Sequence, residues 1–348
     1  MLTINKKHYK YKLILMVIIL FCLIVLCSTL GTAKISLEES LNIILSHIPI
    51  IGNYFHNKAF LATHNLIIFN IRLPRIILSA MVGMGLSIVG ASFQAMFKNP
   101  MADPYVLGVS SGAAFGAAIA IVTGLNNSFS GVGAVTILAF IGAILTTFIV
   151  YSAAMIDKRV PTNTLLLAGI SISFLLSSMI SLLMVFNRQN VEKIVFWTMG
   201  SLSTANWKQV GILLPVVLVG FLILLAFSRD LNIMLTGDDS AKSLGIEVEN
   251  LKKIILIVSS LVVAACVSVS GVIGFVGLII PHIIRIIFGA DHRILIPFSA
   301  LGGAIFMILS DTLARTLVSP AEIPVGAITS LIGAPYFMYL LVKNKKKV

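Results

Sequence analysis

Ten apolar runs follow one another along the chain, near residues 13–30, 76–97, 105–124, 131–156, 163–187, 210–228, 254–270, 272–288, 294–312 and 325–342. A membrane-spanning helix needs about 20 predominantly apolar residues, and these runs meet or approach that length. Only SVSGVIG, residues 268–274, parts the seventh from the eighth, so that boundary is the least sharply marked. The first run, Leu13 to Leu30, suits a spanning helix better than the shorter core of a cleaved signal peptide, about 7–15 residues. Leu26 before Cys27 is too bulky for a lipoprotein cleavage site. No linker or low-complexity stretch divides the chain, and offsetting it by 188 aligns too few residues to make a repeat. The expected fold class is all-α: one polytopic membrane domain, residues 1–348, of about ten transmembrane helices.

Composition agrees with this. Of 348 residues, 58% are hydrophobic and 11% charged, where a soluble domain carries roughly 25% charged residues. The net charge of +12 would suggest nucleic acid on a soluble protein. Here the charges lie between apolar runs, so topology and anionic lipid headgroups account for them, and no nucleic-acid partner is expected. With the N-terminus in the cytoplasm, 17 of the 25 Lys and Arg residues fall on the cytoplasmic side. That bias favours an even helix count with both termini inside. Cys22, Cys27 and Cys266 sit within apolar runs, and no C-x-x-C occurs, so neither a disulfide framework nor a metal cluster is expected.

The chemistry is sparse. No phosphate-binding loop occurs: GDDSAKS (Gly237 to Ser243) has the lysine and serine but lacks a second glycine and a preceding strand. Energy must come from a gradient or from a separate motor. Gradient-driven carriers keep ionisable groups at membrane depth, yet these spans are nearly bare. Asp311 lies near an outer end and can pair with Arg315 one turn on, while Asp103, Asp157 and Asp291 fall at inner ends. The span interiors carry Gly, Ser, Thr and Asn, which suits a bulky hydrogen-bonding passenger better than a bare ion. The plain role for such small residues is helix packing, as in GVSSGAAFG with Gly108, Gly112 and Gly116. His47, His56 and His64 are spaced nine and eight apart, unlike a helical ligand pair, and read as solvated loop residues.

Two polar features remain. RLPR (Arg72 to Arg75) starts the second run on the outer side, against the positive-inside trend. Pro74 fits a first helical turn, and two cations there oppose the macrodipole. They read either as headgroup anchors or as a docking site for an acidic partner. The stretch Gly237 to Lys253 reads either as a solvated loop or as a short helix pair offered to a cytoplasmic partner, bent at Gly245.

Taken together, RLPR, GASFQAMFKNPMADPYVLGVSSGAAFGA (Gly90 to Ala117), TNTLLLAGI (Thr162 to Ile170), SLGIEV (Ser243 to Val248), GFVGLIIPHIIR (Gly274 to Arg285), DHR (Asp291 to Arg293) and EIPVGAITSLIGAPYFMYLL (Glu322 to Leu341) resemble the FecCD-type permease subunits of type II ABC importers for iron-siderophores, haem and cobalamin. The likeness covers about residues 65–342. It implies a cobalamin-permease-like bundle paired with a second permease copy or paralogue, the pathway lying between them. It also implies two cytoplasmic ATPase subunits below, an extracytoplasmic substrate-binding protein above, and no cofactor or enzymatic activity of the chain's own. By the same resemblance Arg72, Arg75 and Arg315 meet glutamates of the binding protein. Gly237, Asp238, Lys242, Ser243, Leu244, Gly245 and Ile246 fall in the region that contacts the ATPases. Asn99, Met101, Thr162 and Asn163 form the cytoplasmic gate. Met101 stands where the family has leucine and Asn163 where it has serine. The function expected is permease of an Fe(III)-siderophore importer, with haem or cobalamin as the alternative. The rivals of another class are a gradient-driven carrier and a non-transporting membrane protein.

Overall fold

The chain is seen in a computed structural model that describes residues 6–47, 62–125, 128–129, 132–157 and 160–345. Seven helices are long and apolar enough to cross a membrane: α1 (Lys6–Thr29), α2 (Ala62–Met96), α4 (Ala134–Ala154), α5 (Thr162–Phe186), α6 (Trp207–Ala226), α7 (Val248–Ser270) and α9 (His292–Thr316). Three shorter apolar helices complete the expected ten: α3 (Val109–Val122), α8 (Val276–Phe288) and α10 (Val325–Lys345). Short helices at Leu37–Ser46, Val191–Thr198, Ser228–Met234 and Asp238–Ser243 lie between them.

Around α2 the other helices are arranged. Its apolar window is 89% buried, against 17% for α5. It packs on α1, α6, α7, α8 and α9. A helix surrounded by helices must be apolar all round and must let its neighbours approach. Gly83 meets Gly303 of α9, and Gly90 meets Gly277 of α8; at either place an added methyl would run into the facing backbone. Gly112 and Gly116 bring α3 against Gly142 and Leu138 of α4 in the same way. Gly108, grouped with them by spacing, does something else. It has φ +72 and turns the chain from the 3-10 helix Pro104–Leu107 into α3, a conformation only glycine adopts cheaply.

The second helix departs from expectation. It does not start near Arg72 but at Ala62, and residues Ile67–Arg72 form a π-helical stretch within it. Pro74 has no N–H and its ring crowds the carbonyl four residues back. A widened turn, in which the Leu73 N–H reaches Ile68 O, carries the helix past it. Arg72 and Arg75 are therefore interior positions of one long helix, and the expected opposition to an N-terminal dipole does not arise.

The ambiguous seventh boundary is a break inside the bundle. Gly85 of α2 faces Cys266 of α7, and Gly277 of α8 faces Leu86, so residues 271–275 cross at mid-depth of α2. Non-helical backbone is tolerated at membrane depth only where protein satisfies it. Here the Tyr105 hydroxyl donates to Ile273 O at 2.8 Å and accepts from Ile273 N–H at 3.2 Å, while Ser201 N–H donates to Ser270 O at 2.8 Å. Gly271 and Phe275 both take positive φ there, +67 and +68, and Gly333 of α10 leaves room for the Phe275 ring.

Candidate functional site

At the end of the bundle where α1 finishes, three arginines come together, all buried. Arg75 donates from Nε and Nη2 to the Asp311 carboxylate, at 2.9 to 3.0 Å, and from Nη1 to both oxygens of Glu322, at 2.9 and 3.0 Å. Asp311 is 1% exposed at its side chain and Glu322 is 42% exposed. Arg72 donates to Ser28 O, Thr29 O and Ala33 O at 2.7, 3.0 and 2.7 Å. Arg315 donates to Leu30 O at 2.8 Å and to Cys27 O. Helices end with carbonyls that lack intrahelical partners and carry negative dipole charge. Two guanidinium groups, five donors each, supply both needs for α1. Asp311 pairs with Arg315 one turn on, as expected, at 3.9 Å from its Nε, and gives its shorter contacts to Arg75. Each of the three arginines is engaged within the chain, and Glu322 is the one markedly exposed member of the cluster.

At the opposite end α2 stops at Met96. Lys98 follows in a left-handed conformation, φ 48. Asn99 caps the turn: its Oδ1 accepts from Met101 N–H at 2.9 Å, and its own N–H returns to Gln94 O at 3.1 Å. Asn99, Met101 and Asn163 are exposed and Thr162 is partly so. Thr162 opens α5, which packs on the Pro104–Leu107 turn through Gly169. The two pairs thus occupy adjoining segments but share no hydrogen bond. Met101 also lines a small cavity with Pro100, Leu278, His282 and Phe337.

The polar stretch after α6 folds as Ser228–Met234, then Asp238–Ser243, then α7. Gly237 and Gly245 have φ +123 and +85, and nothing lies within 4 Å of a Cβ placed on Gly245. Gly245 is a hinge-like bend in open space, as its sequence context suggested. Lys242 and Ser243 close the short helix, Leu244 beyond it is 67% exposed, and Ile246 packs partly under the core. Asp238 pairs with Lys98 and, at 2.7 Å, with Lys252. Despite partial burial, which acts the other way, the Lys252 and Lys98 ammonium groups hold its carboxyl below the usual range.

A third feature was not foreseen. A groove of about 330 Å³ runs between α3, α5 and the Val191–Thr198 helix, lined by Ser110, Ser111, Ser177, Ser181 and Thr198 among apolar residues. Ser110 and Ser111 lie within a motif singled out for its glycines, but nothing in the spacing aligns them with Ser177 and Ser181 of α5. Two histidines depart from the expected solvated loop: His64 lies in the first turn of α2 with its Nδ1 2.7 Å from Glu39, and His47 caps the Leu37–Ser46 helix and stacks on Phe69, while His56 lies outside the described residues. Among the described residues no cluster of His, Cys, Asp or Glu could hold a metal.

Comparison with known proteins fits this arrangement. The chain is 47% identical over 279 residues to the cobalamin import system permease protein BtuC of Halobacterium salinarum, covering 80% of this chain and 74% of that one. It is 40% identical over 280 residues to the hemin transport system permease protein HmuU of Yersinia pestis, covering 80% and 84%. The iron(3+)-hydroxamate import system permease protein FhuG of Bacillus subtilis is 38% identical over 290 residues, covering 81% and 85%. Among solved structures, a metal-chelate type ABC transporter in an inward-facing conformation superposes with a TM-score of 0.82 at 33% identity, over 96% of this chain and 99% of that one. The FecCD transport family model matches residues 15–343. The chain belongs to the FecCD transport family and is a multi-pass permease of the ABC importer type.

Proposed function

We propose that this permease carries an Fe(III)-siderophore across the cell membrane as one half of a dimeric pathway, driven by two separate ATPase subunits and fed by an extracytoplasmic binding protein. The observation that carries this reading is the hydroxyl-lined groove between α3 and α5. It offers hydrogen bonds without fixed charge, on α3, which follows the segment bearing Asn99 and Met101, and on α5, which opens with Thr162 and Asn163. Such a wall can slide past a large chelate without binding it tightly. The exposed apolar face of α5, with Leu167, Phe174 and Leu182, supports a second copy or paralogue across the pathway.

In this reading the Lys98 end faces the cytoplasm, with both chain termini. The loop from Gly237 to Ile246 meets the ATPases, its exposed Leu244 inserted into their surface, because this chain has no phosphate loop. The Arg75 end faces outward. An acidic binding-protein residue would there take the place of Glu322 on Arg75, while Arg72 and Arg315 hold the platform. Lipid surrounds the remaining apolar faces.

Cobalamin is the second reading, favoured by the 47% identity to a cobalamin permease. The test is competition: cells lacking other importers and expressing this permease with its partners take up labelled ferric siderophore, and unlabelled cobalamin or haem fails to compete. Competition by cobalamin with no siderophore uptake would replace the first reading by the second.

A further inference from the structure

The turn after α2 and the polar loop before α7 are 140 residues apart in sequence, yet one carboxylate joins them. Asp238 is the first residue of the helix Asp238–Ser243. Its Oδ1 accepts from Lys98 Nζ and its Oδ2 accepts from Lys252 Nζ at 2.7 Å. Lys252 sits in the first turns of α7, and its side chain is largely buried; Lys98 lies just beyond the end of α2 and is far more exposed. The loop is therefore pinned between the central helix and α7, one carboxylate oxygen to each.

The turn carrying Lys98 is bonded within itself. Lys98 N–H reaches Ala95 O, Asn99 N–H reaches Gln94 O, and Ala102 N–H reaches Asn99 O. Asp103 Oδ1 then accepts from Tyr105 N–H at 2.8 Å, starting the Pro104–Leu107 turn. That turn packs tightly on two other helices, Pro104 against Gly277 of α8 and Val106 O against Gly169 of α5. A displacement imposed on Lys98 must pass along a stiff, self-bonded segment to α5 and α8. Packed elements of this kind shift as units and do not deform smoothly.

We propose that Asp238 and Lys98 form a tie that makes the 237–246 loop and the 97–103 turn move together, so that Lys98 is a positioning residue for the gate. This rests on the reading of that loop as the ATPase contact. The arrangement also says which partner is dispensable for folding. Without Lys98, Lys252 still neutralises Asp238, so the loop keeps its buried anchor and loses only its connection to the turn.

The test uses the whole importer, with its ATPases and binding protein, in proteoliposomes, reading chelate uptake per ATP hydrolysed. Lys98→Gln should leave ATPase assembly and ATP hydrolysis unchanged but lower uptake per ATP about fivefold or more, the scale of a typical coupling between sites. Lys98→Arg should retain it. Joining Lys98→Cys and Asp239→Cys with a flexible bis-methanethiosulfonate reagent, in a background without Cys22, Cys27 and Cys266 and with Asp238 left on Lys252, should restore uptake per ATP, and reduction should remove it again. Normal coupling in Lys98→Gln, or abolition of uptake by the bridge, overturns the tie. Gly245→Pro in the same assay separates the two levels. If it uncouples while Lys98→Gln does not, the tie alone is wrong; if it too imports normally, the loop is not the ATPase contact.

Discussion

Arg75 and Asp311, 236 residues apart, form a forked ion pair in the interior of the bundle, with Nε and Nη2 both directed at a carboxylate that is 1% exposed. The pair clamps α2 to α9, the two helices that also meet at Gly83 and Gly303. Charges buried at this depth contribute less by attraction than they would cost if one were left alone. Arg75→Met should therefore destabilise the protein by about 3–5 kcal/mol. Asp311→Leu combined with Arg75→Met should recover much of the loss. Thermal unfolding in detergent measures both. Equal damage in single and double variants would mean that the pair is not the source of the effect.

Arg72 acts on α1. Removing it strips hydrogen bonds from Ser28, Thr29 and Ala33 carbonyls, at about 1.5–3 kcal/mol for a bond to a charged group. In Arg72→Ala the loss should be local: amides at the end of α1 should exchange faster while those in α2 and α9 hold. Uniform protection across α1 would contradict the capping role. Charge reversal at 72 and 75 would likewise lower the amount of folded permease before any partner is present.

Glycine positions divide sharply. Gly83→Ala places a methyl against the Gly303 backbone, and the overpacking should cost about 1–3 kcal/mol. Gly211→Ala, in the same membrane but with nothing within 4 Å of its Cβ, should be neutral or slightly stabilising through helix propensity. Comparing the two melting temperatures tests whether the α2–α9 crossing sets stability.

Two carboxyls contribute to acid stability, Asp238 and, more strongly shifted, Asp291. The Arg293 side chain, then Asn232 and the Arg293 backbone N–H, hold the Asp291 carboxyl down to about 2 against partial burial. A carboxyl with a depressed folded pKa stabilises above its unfolded value, about 3.9, and that contribution is lost as pH falls from there through about 2. Asp291→Asn should flatten the stability profile between those limits. An unchanged acid limb would assign the sensitivity to another group.

The apolar runs made the ten spans legible, because hydrocarbon leaves few alternatives to a helix. What they could not show was where irregular backbone lies inside the membrane. The stretch 271–275 is apolar like its neighbours, and its break depends on Tyr105, Ser201 and Gly333, contributed by three other segments. The arginines were visible as exceptions to the charge trend and Asp311 as a partner of Arg315 one turn away, but the distant partners were not. Arg75 pairs with residues 236 and 247 positions away, and Arg72 with backbone carbonyls that carry no residue signature. Gly245 was readable from its local context, since an open bend needs little from elsewhere. The serine groove was not, because it exists only where α3 meets α5.

The central claim is that a separate ATPase drives chelate movement through this permease. Its most direct measurement is ⁵⁵Fe-labelled siderophore uptake into proteoliposomes holding the permease and its ATPase partner, with binding protein outside, ATP enclosed and ion gradients dissipated by ionophores. Uptake that requires enclosed ATP and is indifferent to the ionophores is the predicted result. Uptake by the permease alone that collapses when the gradients are removed would contradict it.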